Sequence, residues 1–279
     1  ALFLEQFRRL DVDYIHFYLV HNLTGSFWKK AKDDNLMPFL ERMKEEGRIG
    51  KIGFSFHDGF EAFKHIVDDY PWEFCQIQLN YMDTEFQAGV AGLKYAGERG
   101  IPVIIMEPLK GGKLTKYLPE SVAAVWERAE VKRKPAEWAL RWAADFPEVL
   151  TILSGMSEMK EVEDNIRILS DAVPLSLTEK EKSLIEEASK EYNNLIKASC
   201  TACRYCMPCP KRIDIPEVMD QYNQWHIYRA YRTSKREYDF LSEGARPIDC
   251  IDCKECEAQC PQHLPVSDIM REMGDIFED

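Results

Sequence analysis

The sequence contains no apolar run approaching the roughly 20 residues of a membrane-crossing helix, so a membrane partner is not expected. Its opening stretch, ALFLEQFRRLDVDY, has the spacing of an amphipathic helix rather than of a signal peptide, and it does not begin with Met. Basic residues are in deficit. Lys and Arg total 36 against 48 Asp and Glu, a net charge of −12 over 279 residues. An acidic chain gains nothing from releasing nucleic-acid counterions, so DNA and RNA are disfavoured as partners. The acidic residues are scattered over amphipathic stretches and read as a solvated surface. There is no GxGxxG turn and no Gly-rich loop ending in Lys-Ser/Thr. Cysteine is almost missing before residue 200, where only Cys75 appears, inside the apolar FCQIQL.

What is present is an alternation of apolar runs and amphipathic stretches. Residues 13–21, 51–57, 74–81, 102–109 and 149–155 read as strands. Between them, 35–46 reads as a helix stopped by Gly47, and a second starts at Asp58 as N-cap and ends before Pro71. Residues 85–99 form a third, stopped by Gly100 and Pro102, and a fourth opens at Pro135. Ser157 is expected to cap a helix running to Asn165. Strict strand–helix alternation implies a parallel α/β sheet, because parallel neighbours need crossover connections. With no nucleotide-loop signature, a (β/α)8 TIM-type barrel is favoured over an open doubly wound sheet. Five strands against eight lead us to expect that about three N-terminal βα units precede this sequence.

Thr178 and Glu181 form a capping box that opens a helix to about Ala198. After it strands disappear, and Tyr222, Trp225, Tyr228 and Tyr231 make a packing stripe at roughly helical spacing. The expected organisation is a partial barrel over 1–172, a connecting helix over 173–198 and a small α-helical domain over 199–279.

The other eight cysteines fall in two groups, Cys200, Cys203, Cys206, Cys209 followed by Pro210, and Cys250, Cys253, Cys256, Cys260 followed by Pro261. The second is the bacterial ferredoxin run C-x2-C-x2-C-x3-C-P; the first is one residue shorter before its last cysteine. Three thiolates at steps of three can each bind one iron corner of a cubane, and the fourth corner takes a cysteine from the other group. One 4Fe-4S cluster is then held by Cys200, Cys203, Cys206 and Cys260, the other by Cys250, Cys253, Cys256 and Cys209. The alternatives are a single cluster, or zinc, which usually takes CxxC pairs. Clustered rather than spread cysteines point to a reducing, cytoplasmic setting.

The stretches RRLDVDYIHFYLVH, GRIGKIGFSFH, QIQLNYMD, IPVIIMEPLKGGKL, ALRWAADFP and ILSGMSEMKEVEDNI, followed by both cysteine runs, resemble the aldo-keto reductases, in particular the subfamily with a C-terminal ferredoxin-type domain. The resemblance covers essentially the whole chain. It implies a barrel oxidoreductase that reduces a small carbonyl substrate with NADP or NAD. By this resemblance His21 matches the catalytic His that orients the carbonyl. The family's catalytic Asp, Tyr and Lys belong to the expected preceding segment. Ser55 and Gln78 match the partners of the nicotinamide carboxamide, and Met106 stands where a Tyr often stacks on the ring. Gly155, Met156 and Ser157 match the cradle of the adenosine phosphate, and Asp164 and Asn165 the acidic-Asn pair at the adenine. Glu161 lies near where members preferring NADP carry an Arg. Lys110, Gly111, Gly112 and Lys113 resemble the loop over the pyrophosphate. His57 has no family role, and His16, His65, His226 and His263 read as structural. The clusters suggest an electron partner of the ferredoxin or flavodoxin type. The competing reading is a non-catalytic electron-transfer or scaffold protein built on a degenerate barrel.

Overall fold

The computed structural model describes residues 2–200 and 202–278. In chain order the elements are α1 (Leu2–Leu10), β1 (Ile15–Leu23), α2 (Gly25–Asp33), α3 (Leu36–Glu45), β2 (Ile49–Phe56), α4 (Phe60–Asp69), β3 (Phe74–Gln78), α5 (Gly89–Glu98) and β4 (Val103–Met106). There follow α6 (Lys113–Lys116), α7 (Glu120–Glu127), α8 (Pro135–Ala144), β5 (Val149–Ile152), α9 (Met159–Leu169) and α10 (Glu179–Asn194). The rest is helical: α11 (Ile215–Tyr228), α12 (Tyr231–Asp239), α13 (Glu255–Gln259) and α14 (Val266–Phe277), with one short 3-10 turn at Pro247–Asp249. Among the described residues no helix is long and apolar enough to cross a membrane.

The chain divides into two compact units, Ala1–Thr115 with Ala129–Glu186, and Lys116–Arg128 with Glu187–Asp279. The division falls within α10, inside the interval read as a connector, but residues 116–128, read as part of the barrel, group with the second unit.

In the first unit the five strands are all parallel and lie in the order β1-β2-β3-β4-β5. A doubly wound sheet reverses its strand order at a switch point, whereas unbroken sequential order is that of a barrel wall. The interior strand β2 is buried on both faces, with Phe54, Ser55 and Phe56 at 0–1% exposure. Phe54 packs on Trp72 with ring centroids 4.7 Å apart and on Phe63 at 5.9 Å. The outer strands are wetter: Phe17 on β1 and Leu150 on β5 are about half exposed.

Two local expectations change. Helix α2 has no clear signal in its sequence; it buries only Trp28 and Ala31, too few for a clear period, and starts at Thr24, whose side chain accepts from the Phe27 N–H. Helix α9 is not capped by Ser157. Glu158 occupies the N-cap and shares a capping box with Glu161, so the helix begins at Met159.

In the second unit α11, α12 and α14 enclose a small core of Val218, Met219, Tyr238, Met270, Met273 and Phe277. Trp225 and Tyr231 of the aromatic stripe pack here, each with its ring 5.7 Å from that of Phe277, centroid to centroid, and Tyr238 joins them at 5.4 Å. Cys200, Cys206, Cys209, Cys250 and Cys256 pack against the same core.

Candidate functional site

In the second unit the two cysteine loops repeat one another. Each carries a left-handed residue immediately before and after its middle cysteine, Ala202 and Arg204 around Cys203, Asp252 and Lys254 around Cys253. Each has another three residues after its last cysteine, Arg212 and His263, and a helix begins three residues later at Ile215 or Val266. Left-handed steps let successive side chains turn to one side of a tight loop. The extra residue of the second group falls in the single-turn helix α13, between Cys253 and Cys260, which the first group lacks.

The repeat places the thiols in crossed sets. One cavity is lined by Cys200, Cys203 and Cys206 of the first group together with Cys260 of the second, and walled by Ile215 and Met219. Another is lined by Cys250, Cys253 and Cys256 together with Cys209, walled by Val266 and Met270, with Cys206 on its border. Burial raises the thiol of Cys206, and the neighbouring Cys200, Cys203 and Cys260 push it the same way. Burial likewise pushes Cys256 up to about 11, helped by Glu257, Cys250 and Cys253. Crowded, half-buried thiols ionise together only around a cationic centre. The Ala202 N–H also donates to Cys200 Sγ at 3.4 Å. This donor set suits an iron–sulfur group. Among the described residues no three side chains converge closely enough to hold a single metal ion.

In the first unit, polar groups gather at the C-terminal ends of the strands, the face where barrels place their chemistry. His21 lies exposed near the end of β1. Next to it Asn22 is left-handed, and its N–H donates to Ser55 Oγ at 2.7 Å. A serine that accepts in this way keeps its hydroxyl proton for another partner. His57, to which the sequence assigns no role, follows directly after β2. Burial holds it below the ordinary imidazole range, the charge of His21 lowers it further, and Glu107 and a hydrogen bond with Gln87 oppose this. Gln78 ends β3 and donates from Nε2 to Asp83 Oδ2 at 3.3 Å. Met106 ends β4 and its sulfur accepts from Gln76 Nε2.

Lys110, expected in the loop over a pyrophosphate, is held by an ion pair. Its ammonium is paired with both oxygens of Asp83, at 2.8 and 2.6 Å, and only 18% of its side chain is exposed. Asn22, Gln87, Glu107 and Lys110, all on this rim, are left-handed non-glycine residues. Such strain concentrates where surrounding structure over-determines a site.

The residues matched to the adenosine end lie at the other outer strand. The N–H of Ser157 donates to Glu161 Oε2 at 2.9 Å, so a carboxylate already caps the start of α9. Asp164 is paired with Lys134 at 2.9 Å, which holds its carboxyl below the usual range. Asn165 donates to Ser154 Oγ at 3.0 Å. Ser154, Met156 and Asn165 border an open cleft of about 380 Å³ floored by Leu140, Ile152 and Leu169. Gly155 is exposed beside it. Asp83 and Asn80 are absent from the residues expected at the site; the N-x-x-D spacing of a side-chain-capped turn was the available signal.

A model of the aldo/keto reductase family matches residues 2–190. The chain belongs to the aldo/keto reductase family. A model of the 4Fe-4S dicluster domain matches residues 199–264, so this family member carries a ferredoxin-type domain after its reductase segment. Among curated relatives, L-galactose dehydrogenase of Arabidopsis thaliana is 24% identical over 205 residues, covering 68% of this chain and 64% of its own length. One component of an ion-translocating oxidoreductase complex of Buchnera aphidicola subsp. Acyrthosiphon pisum (strain APS) is 29% identical over 93 residues, 33% of this chain and 17% of that protein. Among solved structures, the aldo-keto reductase AKR11C1 of Bacillus halodurans in its holo form superposes with a TM-score of 0.55 at 24% identity, over 66% of this chain and 62% of that one, which shows a shared fold. The chain thus spans less than two thirds of the length of the first relatives it matches.

Proposed function

We propose that this chain is part of an NAD(P)H-linked oxidoreductase that reduces a small carbonyl compound at the strand ends of the first unit and carries two 4Fe-4S clusters in the second. The observation that carries the reading is the crossing of the thiols: each cavity joins the first three cysteines of one group to the last cysteine of the other, with Cys206 also bordering the second cavity. Two complete four-cysteine sets are what two cubanes require. Cys200, Cys203, Cys206 and Cys260 are the ligands of one, and Cys250, Cys253, Cys256 and Cys209 of the other.

At the strand ends a bound nicotinamide would supply the hydride. His21 is placed to donate a hydrogen bond to the carbonyl oxygen. Burial lowers His57 and keeps its ring uncharged at neutral pH. Ser55 and Gln78 are the partners of the carboxamide, and Met106 packs softly against the ring. Gly155, Ser157, Asp164 and Asn165 serve the adenosine end. The carboxylate of Glu161 at the start of α9 disfavours a 2′-phosphate, so the reading favours NAD over NADP. The likeness of a 93-residue stretch to a component of an ion-translocating oxidoreductase complex supports an electron partner of the ferredoxin or flavodoxin type. Clustered thiols fit a reducing compartment, the cytoplasm. The same likeness favours a second reading, an electron carrier or scaffold without carbonyl reduction.

Anaerobic purification of the full-length gene product tests both. We expect about eight iron and eight sulfide per chain with NAD(P)H binding; about four iron would overturn the two-cluster assignment. Full clusters with neither dinucleotide binding nor carbonyl-dependent oxidation of NAD(P)H would favour the carrier.

A further inference from the structure

The strand-end face of the first unit holds a polar network with Asp83 at its centre. Asn80, wholly buried, builds the turn: its Oδ1 accepts from the N–H groups of Met82 and Asp83, both at 3.0 Å. Its Nδ2 donates to Asp83 Oδ2 at 2.9 Å and to the Glu107 carbonyl at 3.3 Å. The hydrogen-bonding capacity of this asparagine is thus spent on holding Asp83 in place. Lys110, arriving from the loop after β4, donates to both Asp83 oxygens and fixes the plane of the carboxylate. Side-chain exposure is 13% for Asp83 and 18% for Lys110, so solvent competes weakly for either. The remaining donor to Asp83 Oδ2 is Gln78 Nε2.

The chemistry of that last contact is directional. A carboxylate only accepts, so the Gln78 amide must turn its NH2 toward Asp83 and its carbonyl oxygen the other way. A freely rotating glutamine could present either end to a ligand. We infer that Asp83 is a positioning residue that locks Gln78 with Oε1 outward, so that the site selects a ligand carrying an N–H donor, the amide NH2 of a nicotinamide carboxamide. This rests on the placement of Gln78 at the nicotinamide proposed above. Lys110 and Asn80 serve the lock by holding the carboxylate.

The test uses the full-length gene product with its clusters intact and reads dissociation constants rather than turnover. The probes are NADH and reduced 3-acetylpyridine adenine dinucleotide, which keeps the ring carbonyl but replaces NH2 by methyl. The wild type is expected to prefer NADH by about tenfold, the value of roughly one oriented hydrogen bond. Asp83→Asn keeps the volume but can donate as well as accept, so it no longer dictates the amide's orientation, and the preference should fall to about two-fold or less. Asp83→Ala should do the same, and Gln78→Ala should abolish the preference. Lys110→Met removes a group that holds the carboxylate, so the preference should fall part-way, to between the wild type and Asp83→Ala. A wild-type preference retained in both Asp83 variants but lost in Gln78→Ala would overturn this inference alone. A preference unchanged in Gln78→Ala, or no binding of either dinucleotide, would overturn the nicotinamide-site reading and this inference with it.

Discussion

In the sheet-bearing unit, Phe54 and Phe56 on β2, Phe74 on β3 and Phe63 on α4 are wholly buried, and the two strands pair through a continuous parallel register. In the helical unit, the described residues between Cys200 and Cys209 form no helix or strand, and those between Cys250 and Cys260 form only the single turn α13. The first arrangement draws its stability from apolar burial, distributed over many side chains. The second spends its few apolar residues on α11, α12 and α14 and leaves the cysteine loops to be ordered by what they bind, so metal binding there is folding energy. The comparison teaches that the two units answer to different perturbations.

The sharpest way to break it is to remove the iron. Anaerobic chelation of the full-length protein, followed by region-resolved hydrogen exchange, should leave β2, β3 and β4 protected while protection over 198–278 collapses. Equal loss in both units would erase the contrast, and protection retained over 198–278 would show that the helical unit does not depend on its clusters. The converse perturbation is Phe54→Ala. Phe54 contacts the rings of Phe56, Phe63 and Trp72, and its truncation should cost about 3–5 kcal/mol in urea unfolding of the sheet-bearing unit while iron content stays unchanged. Gly53→Ala probes the same core from the other direction. A Cβ there would lie 2.6 Å from the Phe74 ring and from the Phe74 carbonyl, an overpacking expected to cost about 1–3 kcal/mol by the same measurement.

How far each unit was legible follows from the same contrast. The five strands could be found because burial on both faces writes a run of apolar residues. The C-terminal bounds of β3, β4 and β5 overran, because QLNY, EPL and LSG carry apolar character past Gln78, Met106 and Ile152 into the rim loops, while β1 runs two residues beyond the expected end, to Leu23. The cysteine groups were readable from spacing alone, since ligand geometry is written locally. Asp83 was not readable: its role depends on Lys110, 27 residues further along, and only the fold brings the two together. Glu161 was visible as a charge near the adenosine end, but not as the partner of the Ser157 N–H, because the true N-cap is Glu158.

That cap permits a smaller test. Glu161→Gln removes the negative charge while keeping an acceptor for the Ser157 N–H. NADPH binding should tighten by roughly two- to five-fold relative to NADH, in line with the modest value of an exposed charge pair. An unchanged ratio in a titration of both dinucleotides would show that Glu161 does not face the ribose.

The smallest effect expected belongs to the helical unit and depends on pH rather than on metal. His226 on α11 is largely shielded from solvent, its side chain showing 10% exposure. Arg229 donates to its Nδ1 at 3.2 Å, so that nitrogen accepts, and the Nε2–H donates to Glu272 at 3.1 Å. Tyr222 meets the ring edge-on, with centroids 4.3 Å apart, and donates to the other Glu272 oxygen. Burial, then the Arg229 charge, hold His226 below the ordinary imidazole range; Glu272 opposes this, and Lys197 adds to it. The folded state therefore keeps the ring neutral where the unfolded chain already takes up a proton. Its contribution is intact above the unfolded value of about 6.5 and is lost as pH falls through the lower folded value. Glutamine can donate to Glu272 and accept from Arg229 without titrating. The melting temperature of the wild type should therefore fall more between about pH 7 and about pH 5.5 than that of His226→Gln, with both holding full iron. Parallel curves would mean that the ring is not kept neutral by the fold, and that acid acts on this unit through its clusters alone.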